Sequence, residues 1–258
     1  MGEVLGIDVS HYQKKIDWQK VAKAGKKFAI LKCQYEAQSH RIDETFNYNY
    51  EEAGKVGIAR GVYIFIASAS MADPQKDAQC LLQHLNGRHL EYGIWLDLEA
   101  DVLRSKGKAY IDGLVKIYMS IFRNAGYYVG IYCNRDWYLN CISDNLKANY
   151  DFWIARYPYN DKGIYNPDSS LKPSKMGVAW QYSSKGTVNG ISGYVDLDVD
   201  FDGIVNLARP DRKTNYEIAC EVLENKWGTK HSKPSRKQLL TAAGYDYDAI
   251  QYIVNQMC

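Results

Sequence analysis

Short apolar runs alternate with amphipathic stretches along most of this chain. Eight runs rich in β-branched and aromatic residues stand out, at 4–9, 28–33, 61–67, 92–98, 128–133, 152–156, 178–182 and 194–198. Several of them (FAILKC, VYIFIA, YGIWLDL, YVGIYC) are almost continuously apolar, the pattern of parallel strands covered on both faces. Between the first six runs the spacing turns helical. Residues 16–25 set Ile16, Val21 and Ala24 on one side, and residues 43–57 open with acids and end at a glycine. Asp73-Pro74 opens a third helix with proline at its first helical position. Residues 106–126 carry Leu114, Ile117, Tyr118 and Ile121 at helical spacing, and 134–146 make a fifth helical stretch. After the sixth run the helices stop, because 157–175 and 183–193 are rich in Pro, Asn, Asp, Ser and Gly and read as loops.

Eight strands with about five helices form an incomplete version of the alternation that gives a (β/α)₈ barrel, so the fold class is α/β, a distorted barrel. In such a barrel the chemistry sits at the carboxyl ends of the strands. The first run ends in Gly6-Ile-Asp-Val-Ser10, the fourth in Asp97-Leu-Glu99, and the eighth carries Asp196 in VDLDVDFD. Alternation on a strand puts Asp97 and Glu99 on one face, a like-charge pair in which at least one proton affinity rises. That is the property a general acid needs near neutral pH. First and eighth strands become neighbours when a barrel closes, so Asp8, Asp97, Glu99 and Asp196 are expected around one pocket. The run Asp198–Gly203 begins like a calcium loop, but the closing glutamate position falls at Arg209. No metal or other cofactor is therefore expected.

Composition narrows the class further. The chain has 258 residues, enough for one large and one small domain; 46% are hydrophobic and 24% charged, as in ordinary globular proteins. A net charge of +2 is too small to suggest a nucleic-acid partner. The six cysteines show no metal spacing and read as thiols of a protein made in a reducing compartment. No apolar run reaches the roughly 18 residues of a membrane span, and the first residues do not read as a secretory signal. Synthesis in the cytoplasm without a signal peptide is the expectation. Tyrosine, at 22 residues, is the outlier, and amphipathic rings in that number suit a sugar.

Residues 4–207 resemble glycoside hydrolase family 25, the muramidases of peptidoglycan. The resemblance rests on Gly6-Ile-Asp-Val-Ser10, Phe28-Ala-Ile-Leu-Lys32 with Glu36, Gly61-Val-Tyr-Ile-Phe65 and Trp95-Leu-Asp-Leu-Glu99. It continues through Gly130-Ile-Tyr132, Phe152-Trp-Ile-Ala155, Ala179-Trp-Gln-Tyr182 and Gly190-Ile-Ser-Gly-Tyr-Val-Asp-Leu-Asp198. It implies Glu99 as proton donor to the glycosidic oxygen, its proton retained through crowding by Asp97, Asp8 and Asp196. Asp97 would be its partner, orienting the substrate's N-acetyl group, activating water or attacking directly. The implied sugar platform is Tyr63, Phe65, Tyr132, Trp153, Trp180, Gln181 and Tyr182, with Asp198 beside it. The chain departs from the family in having Ile64 where His is frequent and Asp198 where Asn is frequent.

Beyond a polar link at 208–214, residues 215–258 read as three short helices with apolar faces, a small C-terminal module. The strings IACEVLENKWG, RKQLLTAAGYDY and QYIVN resemble the CW_7-type cell-wall-binding repeat of phage lysozymes. Together the two resemblances imply a barrel at 1–207 that hydrolyses peptidoglycan, tethered to the wall by its tail. A Gram-positive wall, a phage or prophage lysis role and a pore-forming export partner are the narrower expectations. A chitinase-type enzyme would need Asp at Trp95, and a non-catalytic wall-binding protein would not need Asp97 and Glu99.

Overall fold

Alternation along eight strands decides which side chains fill the middle of this protein. The computed structural model describes residues 2–35, 39–68, 70–71, 73–204, 213, 215–229, 231–243, 245 and 247–257. Glu36, Arg209, Cys258 and all of the 208–214 link except Lys213 lie outside the described residues. The eight apolar runs form β1 (Val4–Val9), β2 (Phe28–Lys32), β3 (Ala59–Phe65), β4 (Ile94–Asp97), β5 (Val129–Asn134), β6 (Phe152–Ala155), β7 (Ala179–Gly186) and β8 (Val195–Asp200). They close into a barrel in chain order.

Neighbours from β1 to β7 run parallel, whereas β8 is antiparallel to both β7 and β1. This departs from the all-parallel alternation of a regular barrel, and the connection explains it. Only residues 187–194 separate β7 from β8. A parallel return needs a crossover of roughly a dozen residues or more, so the short link makes a hairpin instead.

The first 150 residues carry α1 (Trp18–Lys23), α2 (Phe46–Lys55), α3 (Asp73–Leu85), α4 (Asp101–Lys106), α5 (Lys108–Asn124), α6 (Arg135–Asn140) and α7 (Asp144–Asn149), of which α4 precedes the fourth expected stretch. Two local signals separate neighbouring helices, and the second of them divides the expected stretch 134–146. Gly107, at φ 82°, ends α4 and starts α5. Ser143 caps a new helix by accepting from the Leu146 amide at 3.1 Å, which separates α7 from α6. On α5 the apolar stripe Ile111, Leu114, Val115, Tyr118, Met119 and Phe122 is buried.

Inside the barrel, aromatic rings fill gaps left by glycines on adjoining strands. Phe28 stacks on Tyr92 with ring centroids 4.3 Å apart, and Trp95 meets Trp153 edge-on at 5.9 Å. A Cβ on Gly6 would lie 2.4 Å from the Phe28 ring, and one on Gly130 would lie 2.4 Å from the Trp95 ring. The large ring and the missing side chain are two halves of one packing solution.

The chain divides into two compact units, residues 1–142 with 151–210, and residues 143–150 with 211–258. The second unit holds α7 together with α8 (Asn215–Leu223), α9 (Arg236–Ala242) and α10 (Tyr247–Met257). Its core is Ile218, Ala219, Val222, Leu240, Ile250, Ile253 and Val254, with Ala148, Trp227, Tyr245 and Tyr247 packed against it. Ser235 and Gln238 form a reciprocal capping box at the start of α9. The five described cysteines are thiols. Among the described residues, no helix is long and apolar enough to cross a membrane.

Gly130→Ala is expected to destabilise the barrel by about 1–3 kcal/mol, the usual cost of overpacking a filled core. Urea unfolding followed by tryptophan fluorescence measures this. An unchanged midpoint would show that the Trp95 ring has room to move.

Candidate active site

The inward positions of the strands become polar toward one end of the barrel. On β2, Phe28 and Ile30 belong to the interior cluster, and two residues on Lys32 reaches that end. Trp95 is followed in the same way by Asp97, then Glu99 just past β4. Since β8 runs the other way, its first residues rather than its last lie at this end. Pairing puts Asp196 opposite Asp8, Asp198 opposite Gly6 and Asp200 opposite Val4, three acids at three depths.

Only the upper level opens to solvent. Asp8, Asp97, Glu99 and Asp196 line a cavity of about 260 Å³, joined by Tyr63, Tyr132, Trp153, Tyr157 and Gln181. All four carboxylates expected around one pocket are there. Asp198 lies beneath it, buried, accepting from the Trp153 indole at 2.9 Å. Asp200 is deeper still. It accepts from Tyr92 Oη at 3.1 Å and from the amides of Asp202, Gly203 and Ile204 at 2.8–3.1 Å, so this acidic run folds as a turn cap. No group of His, Cys, Asp and Glu among the described residues is arranged to hold a metal ion.

Gln181 organises one wall. Its Nε2 donates to Asp8 Oδ2 at 2.6 Å, and its Oε1 accepts from Tyr132 at 2.8 Å and from Tyr157. Two other members of the expected sugar platform are elsewhere. Trp180 and Tyr182 flank Gln181 on β7, so alternation turns them out of the barrel, where they line a different cavity. Phe65 shares the strand parity of Tyr63 and pairs with Asp97, yet it does not line the acid pocket. Ile64, where the family often has His, is fully buried on the opposite face of β3.

Two residues at this end were not anticipated. Lys32, which draws the Asp97 carboxyl toward its charged form, places its Nζ 5.9 Å from the Tyr63 ring centroid. The period-two pattern of β2 would have found it. Tyr157 sits in an irregular loop two residues past β6, where no periodicity marks it.

Burial is the first cause of every shift among these acids. Asp8 is raised well above the carboxylate range by burial, then by Asp196 and Asp198. Asp198 is raised by burial and by Asp196. Asp97 is raised by burial and by the Glu99 charge, against Lys32, and its Oδ1 is buried without a hydrogen-bond partner among the described residues. Glu99 reaches the mouth of the pocket, where its side chain meets solvent, and the surrounding protein still raises its proton affinity. Crowding by neighbouring acids was the expected cause; desolvation is the one observed. The crowding acts in the other direction, with Glu99 raising Asp97 and Asp196.

A protonatable acid at the mouth, a buried carboxyl beside it and an aromatic wall, all at the carboxyl ends of barrel strands, define a glycoside hydrolase. Residues 7–191 match the family model described as glycosyl hydrolases family 25, and residues 216–258 match the CW_7 repeat. The chain belongs to glycosyl hydrolase family 25. It is similar to Lysozyme M1 of Streptomyces globisporus, 32% identical over 75% of this chain and 66% of that protein. It is also similar to the autolytic lysozyme of Clostridium acetobutylicum, 28% identical over 78% of this chain and 56% of that protein. The chain thus spans about two thirds or less of the length of these two relatives. Among solved structures, the bacterial lysozyme of Streptomyces coelicolor superposes with a TM-score of 0.64 at 27% identity, covering 81% of this chain and 97% of that one.

The Asp196 carboxyl is pushed from an ordinary 3.8 up to about 6 by burial, then by Glu99 and Asp161. The folded state therefore binds more protons than the unfolded chain across that window, and stability falls as pH rises through it. Asp196→Asn should leave stability near the parent's at pH 4 and exceed it at pH 7 by about 1 kcal/mol, a Tm gain of roughly 2–4 °C. Thermal melts at both pH values measure the difference. A gap that does not widen with pH would contradict burial of the charge.

Proposed function

We propose that this hydrolase is a muramidase that cuts the β-1,4 bond between N-acetylmuramic acid and N-acetylglucosamine in bacterial peptidoglycan. The observation that carries the reading is the Asp97–Glu99 pair within the tyrosine- and tryptophan-lined pocket. Kinship with proteins named as lysozymes supports the same substrate.

In this mechanism burial raises the proton affinity of Glu99, the direction a general acid needs, and Glu99 delivers its proton to the glycosidic oxygen as the bond breaks. Its place at the mouth leaves it open to the polymer and, once deprotonated, to water. Asp97 is deeper and holds an unfilled acceptor, Oδ1. That acceptor suits the N–H of the substrate's acetamido group, whose carbonyl oxygen then attacks the sugar carbon, as in substrate-assisted glycosidases. Asp97 as direct nucleophile or as base toward water would leave the acetamido group unused. Asp8 and Asp196 flank the cleft, and Asp8 holds Gln181 in place. Tyr63, Tyr132 and Trp153 supply the surface against which sugar rings lie. A chitinase-type alternative is disfavoured by Trp95, whose buried ring fills the barrel interior where that pattern needs a third acid.

The second unit, through its CW_7 repeat, holds the enzyme on the wall and raises the local concentration of cleavable bonds. On this reading the barrel at 1–207 is catalytic, 208–214 is a link and 215–258 is the wall-binding module. The wall is of the Gram-positive kind, and the enzyme serves phage or prophage lysis, reaching it through a pore made by another protein.

Glu99→Gln should cut release of reducing sugar from purified peptidoglycan by ~10²–10⁴-fold while leaving the melting temperature near that of the parent. Turnover at the parental rate would rule Glu99 out as the acid. Mass spectrometry of the fragments should find N-acetylmuramic acid at the new reducing ends; N-acetylglucosamine there would replace the muramidase reading with a glucosaminidase. Removing residues 208–258 should reduce co-sedimentation with walls severalfold and spare hydrolysis of soluble fragments. Undiminished co-sedimentation would remove the binding role of the tail.

A further inference from the structure

The outward face of β7 has no helix over it. In a regular barrel an amphipathic helix would follow β6 and cover its neighbour, but residues 156–178 form an irregular connection. That connection leaves a cavity of about 300 Å³ against Trp180 and Tyr182. Such a volume is at the small end of ligand pockets, roughly 300–1,000 Å³, and accommodates a single sugar ring.

The chemistry of the cavity is specific. Trp180 and Tyr182 are nearly buried, at 2% and 4% exposure. The Trp180 indole is satisfied by the Arg156 carbonyl at 2.8 Å, whereas the Tyr182 hydroxyl has no hydrogen-bond partner among the described residues. Its oxygen keeps access to solvent on the cavity side, so a ligand atom can reach it there. Asn160, Asn166 and Ser169 add neutral hydrogen-bonding groups, and no carboxylate lines the space. Lys162 stands at the rim, exposed and without an acidic partner among the described residues. Aromatic surface, neutral amides and hydroxyls, and one free cation together fit an N-acetylated amino sugar bearing a carboxylate.

We propose that this cavity is a second, non-catalytic sugar site that takes an N-acetylmuramic acid unit of the glycan, its lactyl carboxylate toward Lys162. The inference rests on the muramidase reading for the identity of the polymer. The loop that forms the cavity begins with Tyr157, which lines the acid pocket, and Gln181 on the same strand as Trp180 and Tyr182 faces that pocket from the other side. A glycan held here is therefore held beside the catalytic cleft, which would keep an insoluble substrate engaged between cuts.

The test titrates free N-acetylmuramic acid into full-length Glu99→Gln protein and follows the indole N–H signals of Trp180 and Trp153 by NMR. The Trp180 signal should shift saturably. In the same background, Tyr182→Phe, which deletes only the unpartnered hydroxyl, should weaken the Trp180 response ~3–10-fold. Lys162→Ala should weaken it for N-acetylmuramic acid and leave it intact for N-acetylglucosamine. The Trp153 curve in each sample is the internal reference for the acid pocket. A Trp180 signal that does not move, or that saturates identically in the parent background and both variants, overturns the second site. Wall hydrolysis by the parent enzyme with a silent Trp180 would sink this inference alone; a responsive Trp180 without wall hydrolysis would sink the catalytic reading and leave the site standing.

Discussion

The antiparallel register between β1 and β8 is the constraint on which the site depends. It sets Asp196, Asp198 and Asp200 beside Asp8, Gly6 and Val4, and so stacks acids from the pocket down into the barrel. Bare charges at those depths would be prohibitively costly. Each level answers the cost differently. Asp200 is fully hydrogen-bonded by a turn and by Tyr92. Asp198 takes the Trp153 indole, Asp8 accepts from Gln181, and burial raises the proton affinity of both. Of the three acids on β8, Asp196 alone lines the pocket.

The same gradient separates the two carboxyls on β4. Asp97 is buried, close to Lys32 and left with an unfilled oxygen, whereas Glu99, two residues on, reaches the mouth. One can hold a fixed group of the substrate, and the other can exchange protons with it and with water. Such a cluster costs stability, a common feature of sites whose groups are held for chemistry rather than for packing. The aromatic rings and glycines below supply the compensating packing, with Trp95 against Gly130 and Phe28 against Gly6.

Strand β7 has polar work on one face and aromatic residues on the other. Gln181 looks into the acid pocket, while Trp180 and Tyr182 look out beneath an irregular loop. The loop buries these two rings, at 2% and 4% exposure, and leaves a cavity beside them. Loss of the helix after β6 therefore has a chemical consequence as well as a topological one.

Most of the barrel was legible from period and run length, because a strand buried on both faces must be apolar throughout and a covering helix must be amphipathic. The D-x-E pair was legible for the same reason, since alternation alone puts Asp97 and Glu99 on one face. Alternation also bore on Trp180 and Tyr182, which cannot share a face with Gln181, although their place in an aromatic block invited that grouping. Tyr157 was invisible, because a loop residue carries no period. What the chain by itself determined is the set of strands, their inward and outward residues, and the four carboxylates available for chemistry. Only the tertiary structure decided the direction of β8, the depth of each acid and thereby its proton affinity. Those depend on which strands close the barrel and how much protein surrounds each carboxyl, long-range facts that no local pattern encodes.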